Sequence, residues 1–126
     1  MKQIIYTPKA PKPVGPYCQA ILANNILYVS GQIALDPKTG IMCEGGVKAQ
    51  TNQVLVYIQN ILNAAGMDML NVVKASIFLT DMNDFGDMNE VYAEFFTGNP
   101  PARECIQVAR LPKNAVIEIS VIAVKP

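Results

Sequence analysis

The spacing of apolar residues changes period along this chain, and that change limits the folds open to it. From about Val47 to Ala65, the residues Val54, Ile58, Ile61, Leu62 and Ala65 recur at helical spacing, and Gly66 stands where a helix would end. On either side the apolar runs are short and strand-like. "YCQAIL" and "ILYVSGQI" flank the link "ANN", and because asparagine tolerates positive φ a hairpin is expected there. "DPKTG" at 36–40 reads as a turn, and the β-branched, partly alternating "VVKASIFLT" at 72–80 reads as a strand.

Asp81 to Asp84 offer caps for a second helix running to about Phe96. Its stripe is Phe85, Met88, Tyr92, Phe95 and Phe96, with Asn89 on the same side. "GNPP" ends it, and two strands follow at about 103–109 and 116–124, separated by "LPKNA". This order predicts one α+β domain over residues 1–126, a single sheet with two helices packed on one face.

Composition bears on assembly. Hydrophobic residues make up 51% of the chain and charged residues 16%, against roughly 25% charged in an average domain. The shortfall reads as surface buried against other subunits; a tightly packed monomer rich in Ser, Thr, Asn and Gln is the alternative. Ten cations and ten anions are scattered without clustering, so nucleic acid is a poor expected partner. No apolar run approaches the roughly 20 residues of a membrane-spanning helix. The N-terminus lacks a signal-peptide pattern, so a cytoplasmic location is expected.

Cys18, Cys43 and Cys105 are odd in number and far apart, which argues against a disulfide framework or a thiolate zinc site. There is no histidine, which removes Ser-His-Asp and Cys-His nucleophilic machinery and histidine-bearing metal sites. Chemistry is left to Arg, Glu, Asp, Tyr, Ser, thiol, backbone groups and water.

Strand alternation places Arg103, Cys105 and Gln107 on one face of their strand, with Glu104 and Ile106 on the other. In the last strand Glu118 shares a face with Ser120, Ile122 and Val124, while Ile117, Ile119 and Val121 form a wholly apolar face. A lone carboxylate there must point into a wet cleft, meet a partner such as Arg103, or lie in solvent on an edge strand. Arg103, after "PPA" at a strand entrance, suits binding of a carboxylate or phosphate. Tyr17 follows a Gly-Pro turn, and Ser30 and Gly31 end a strand; each is placed to line a pocket or to serve the turn and core.

The segments "APKPVGPYCQA", "YVSGQIALDPKTG", "NILNAAG", "VVKASIFLTDMNDFGDMNEVYAEFF" and "PPARECIQVARLPKNAVIEI" resemble, in order and spacing, the RidA/YjgF enamine/imine deaminases. The resemblance implies a chorismate-mutase-like fold and a homotrimer with a central β-barrel and clefts between subunits. It implies that Arg103 holds a substrate carboxylate and that Tyr17, Ser30, Gly31, Asn89, Cys105 and Glu118 line the cleft, with Glu118 and Tyr17 as catalytic candidates. The implied reaction is hydrolysis of 2-aminoacrylate-type enamines and imines, released by pyridoxal-phosphate enzymes, to 2-keto acids and ammonia (a 2-iminobutanoate/2-iminopropanoate deaminase). It requires no metal and no organic cofactor. A trimeric sensor of small 2-keto or 2-amino acids would use the same arginine. A ribonuclease or translation inhibitor fits the neutral, histidine-free chain less well. Two positions depart from the family pattern. Glu104 stands where a small uncharged residue is usual, and a bulge would let it compete for Arg103. Tyr57 stands where many members have Asn.

Overall fold

The computed structural model describes residues 1–126. Its order is β1 (Gln3–Ile5), β2 (Ala20–Ala23), β3 (Ile26–Gln32), α1 (Gly46–Ala64), β4 (Val72–Leu79), α2 (Phe85–Phe95), β5 (Ala102–Gln107) and β6 (Ile117–Val124). The strands form one mixed sheet in the order β1-β2-β3-β6-β4-β5, with β4 and β5 parallel and every other pair antiparallel. This is the expected α+β arrangement with one additional strand. β1 is only three residues long, too short to show a period, and pairing with β2 rather than local pattern makes it a strand.

Local chemistry accounts for the boundaries. Asn24 and Asn25 both take positive φ, 50° and 63°, in the two-residue β2–β3 turn, the twist that antiparallel hairpins favour. Gly66, at φ 74°, donates to Asn63, and Met67 donates to Leu62, so the last carbonyls of α1 are satisfied as it stops. The Asp81 side chain accepts from Asn83 N–H at the start of a short 3₁₀ turn, Met82–Asp84, that leads into α2.

Both helices cover one face of the sheet. Val54, Leu55, Ile58, Ile61 and Leu62 of α1 and Met88 and Tyr92 of α2 join Leu27, Val29, Ala75, Ile77, Leu79, Ile117, Ile119 and Val121 in a buried cluster. The predicted α2 stripe is only partly buried. Phe85 is exposed, Phe95 and Phe96 are half-buried, and Val91 is buried though outside the stripe. Tyr57 lies in the core, where burial pushes its phenol up to about 12, so this departure from the family pattern is absorbed by packing.

The opposite face carries no helix. Ile4, Ile21, Tyr28 and Ile122 form one cross-strand row on it. Ile4 is 63% and Tyr28 47% exposed.

Candidate functional site

Arg103 lies on the edge strand β5. Its parallel register with β4 sets it beside Ala75, and β4 in turn sets Ala75 beside Val121, so all three share the helix-covered face. There α2 receives the guanidinium. Arg103 Nη1 donates to Asn89 Oδ1 at 2.7 Å, and Cζ lies 4.8 Å from the Tyr92 ring centroid and 5.6 Å from that of Phe85. Phe85, Asn89 and Tyr92 are spaced i, i+4 and i+7, which puts them on one helical stripe. The chain's two ion pairs are Lys48–Glu90 and Lys74–Glu104, so this cation has no protein carboxylate. With one N–H spent on Asn89, the rest of the fork is free for a planar anion.

Cys105 follows two residues later on the same face, against Ile77. Burial pushes its thiol pKa up, and nearby Arg103 opposes this only in part, so the thiol stays protonated near neutrality. Glu104 points to the other face, where it pairs with Lys74 at 3.0 Å and accepts from the Ser76 hydroxyl. No bulge redirects it, and competition with a ligand for Arg103 does not arise.

Glu118 belongs to a second group of residues. It sits on β6, an interior strand, beside Phe78 of β4, on the face opposite Arg103. The structure therefore excludes two of the three expectations for this carboxylate, since it is neither on an edge strand nor paired with Arg103 of its own chain. It lines a cavity of about 240 Å³ with Tyr17, Gly31, Gln19, Lys12 and Lys113. The irregularity in β3 between Val29 and Gln32 brings Gly31 against the carboxylate. A Cβ built on Gly31 would come within 2.7 Å of Glu118 Cδ and closer still to Oε2. Glycine is needed here for space rather than for backbone freedom.

Ser30 Oγ donates to the Cys18 carbonyl at 2.6 Å, which ties the β3 irregularity to the segment carrying Tyr17. The Tyr17 hydroxyl accepts, at 3.4 Å, from Val14 N–H on the cavity's rim. Seven residues singled out in the sequence thus fall into two groups. Arg103, Asn89 and Cys105 gather at the β5–α2 side, while Glu118, Tyr17, Gly31 and Ser30 gather at the β3–β6 side.

Residues 7–125 match the family model described as Endoribonuclease L-PSP. A RutC family protein of Pyrococcus horikoshii is 54% identical over 99% of both chains. The rat protein named 2-iminobutanoate/2-iminopropanoate deaminase is 49% identical over 99% of this chain and 91% of its own. The crystal structure of RidA from an Antarctic Psychrobacter superposes with a TM-score of 0.94 at 45% identity, covering 98% of this chain and 99% of that one. The chain belongs to the YjgF/RidA family.

Within this family frame, two residues that sequence reasoning passed over support the site. Gln19 is buried and clamps the N-terminal segment. Its Nε2 donates to the carbonyls of Thr7, Ala10 and Pro11, and its Oε1 accepts from Thr7 N–H at 2.8 Å. That clamp holds the Pro11–Val14 wall of the cavity; a lone Gln within "YCQAIL" was the available signal. Tyr92 is legible in the sequence only as a stripe residue; its i+7 spacing puts it on the same side of α2 as Phe85, and the fold brings Arg103 to that side.

Burial alone raises the pKa of Glu118, which has a consequence for stability. The protonated form is favoured by the fold, so the residue's contribution is fully present below the unfolded-state pKa. It is lost as pH rises from there through the raised folded value. Glu118→Gln is therefore expected to melt above wild type at pH 7, with the advantage shrinking as pH falls towards about 4. Thermal melts across that range check the sign; a variant less stable at neutral pH would mean the carboxylate is stabilised by a partner.

Proposed function

We propose that this protein is an enamine/imine deaminase. It hydrolyses 2-aminoacrylate-type intermediates to 2-keto acids and ammonia, as a homotrimer in which sheets form a central barrel and each cleft lies between two subunits. The supporting observation is the division of the site. An unpaired arginine and an unpaired, half-buried carboxylate face opposite sides of one sheet. One chain cannot bring both to a substrate of a few atoms, whereas two copies can, with β5–α2 of one facing β3–β6 of the next. The uncovered apolar row Ile4, Ile21, Tyr28 and Ile122 gives such an assembly a surface to bury. Relatives 46–49% identical to this chain bear the name 2-iminobutanoate/2-iminopropanoate deaminase, which supports this reading.

The roles follow from the chemistry. Arg103, lying over the Tyr92 and Phe85 rings and held by Asn89, takes the substrate carboxylate. The enamine tautomerises to the imine. Glu118, as the carboxylate, accepts a proton from water while the water oxygen bonds to the C=N carbon and the imine π pair becomes a nitrogen lone pair. Proton return to nitrogen gives a carbinolamine. A second proton reaches the carbinolamine nitrogen, the C–N bond breaks with its electron pair leaving on ammonia, and loss of the hydroxyl proton completes the carbonyl of the 2-keto acid. Tyr17 orients water at the carboxylate. The Cys105 backbone, beside Arg103, helps to hold the substrate, and the thiol takes no part. Free imines already hydrolyse in water, so positioning and proton transfer suffice.

The test is 2-keto acid release from an imine generated in situ by an amino-acid oxidase, with semicarbazide competing for the imine. Wild type is expected to accelerate release. The acid limb of kcat/KM should lie above the ordinary glutamate range, because Glu118 must be ionised and its pKa is raised, and it should vanish in Glu118→Gln. Binding of 2-keto acids without turnover on any imine would replace the deaminase with a sensor. RNA binding that falls steeply with salt would instead favour a nucleic-acid role.

A further inference from the structure

The chain has one buried side-chain polar atom without a hydrogen-bond partner, the hydroxyl oxygen of Tyr92, in a residue only 6% exposed. Packing does not call for that oxygen. The ring stacks against Phe96 with centroids 4.5 Å apart, a contact phenylalanine would keep. An unpaired hydroxyl withdrawn from water lowers stability, so its presence needs another account.

The polar group beside it is Arg103. The guanidinium carbon lies 4.8 Å from the ring centroid, and the arginine's charge and its close approach to the hydroxyl both draw the phenol pKa down against the larger upward push of burial, although no hydrogen bond of ordinary geometry joins them in the free protein. Asn89 takes only one of the five N–H donors of Arg103.

We propose that Tyr92 is a positioning residue for ligand binding. When an anion engages the outer edge of Arg103, the Tyr92 hydroxyl accepts one of the inner N–H groups. Asn89 and Tyr92 then fix the guanidinium plane from two sides, so that its free edge meets both oxygens of a carboxylate. The unpaired hydroxyl of the free protein is the stability cost of this preorganisation. The inference rests on Arg103 being the carboxylate anchor.

Tyr92→Phe and Arg103→Ala test it, with 2-oxobutanoate and its uncharged amide as calorimetric probes and 2-iminobutanoate as substrate. For Tyr92→Phe, binding of 2-oxobutanoate is expected to weaken by about tenfold. Amide binding should be unchanged, KM should rise with kcat constant, and the melting temperature should equal or exceed that of wild type. Wild-type acid binding by Tyr92→Phe, with loss in Arg103→Ala, overturns the inference and leaves the anchor standing. No loss in either variant removes the anchor itself. Equal weakening of acid and amide, or melting well below wild type, shows that the hydroxyl serves packing and also overturns the inference.

Discussion

Chains carrying Arg103→Ala and chains carrying Glu118→Gln are each expected to be nearly inactive alone and to regain activity when unfolded and refolded together. Removing the arginine deletes a charge-assisted contact, which lowers substrate affinity by about 10- to 150-fold. Removing the carboxylate deletes proton transfer, a loss of about 10²- to 10⁴-fold. If each site takes Arg103 from one chain and Glu118 from its neighbour, random mixing places two intact halves together in about a quarter of the sites. Recovery to roughly that fraction, from two separately dead proteins, is the largest relative change any assay of this protein should show. Native mass spectrometry would first establish that mixed trimers form. Mixed trimers without recovered activity would mean that both residues act within one subunit, which the opposed faces of β5 and β6 do not permit, or that one of them is not part of the site. A mass of one chain in dilute solution would remove the shared site altogether.

Gly31→Ala is expected to cost nearly as much turnover as loss of Glu118. The added methyl would overlap the carboxylate, coming within 2.7 Å of Cδ and 3.0 Å of Cγ. These atoms are the far end of a flexible side chain, so the fold can yield by moving Glu118 instead of the backbone. Melting temperature should therefore stay close to wild type while kcat falls by about 10²-fold or more. A double-mutant cycle isolates the cause. Once Glu118→Ala has removed the obstacle, adding Gly31→Ala should change neither stability nor residual rate. A comparable further drop in that background would mean that the methyl blocks substrate directly rather than displacing Glu118.

Much of this architecture was legible before folding was considered. The period change at Val47, the glycine at position 66, the paired asparagines at 24 and 25 and the prolines after Phe96 each act over a few residues, and each marked an element boundary correctly. β1 escaped because three residues carry no period. Phe85 belongs to the apolar stripe of α2 yet is exposed, because helical spacing registers side chains on a stripe but not how far the stripe extends beneath the sheet. Its ring instead flanks Arg103. Tyr92 was placed correctly as a buried stripe residue, yet nothing in its spacing revealed that its hydroxyl would be unpaired.

The residues that carry the candidate chemistry were visible because they are anomalies. Arg103 stands at a strand entrance, Glu118 interrupts an apolar run, and the family motifs bracket both. The sequence alone determined the order of the two helices and the five longer strands, the family, and the sorting of side chains to one face or the other within each of those strands. It did not determine how the faces of different strands align. Side chains alternate with a period of two, so a shift of one residue in register between β4 and either neighbour would reverse the comparison. Only the pairing of Ala75 with Arg103 and of Phe78 with Glu118 set the arginine and the carboxylate on opposite sides. That separation follows from hydrogen bonding between strands distant in the chain.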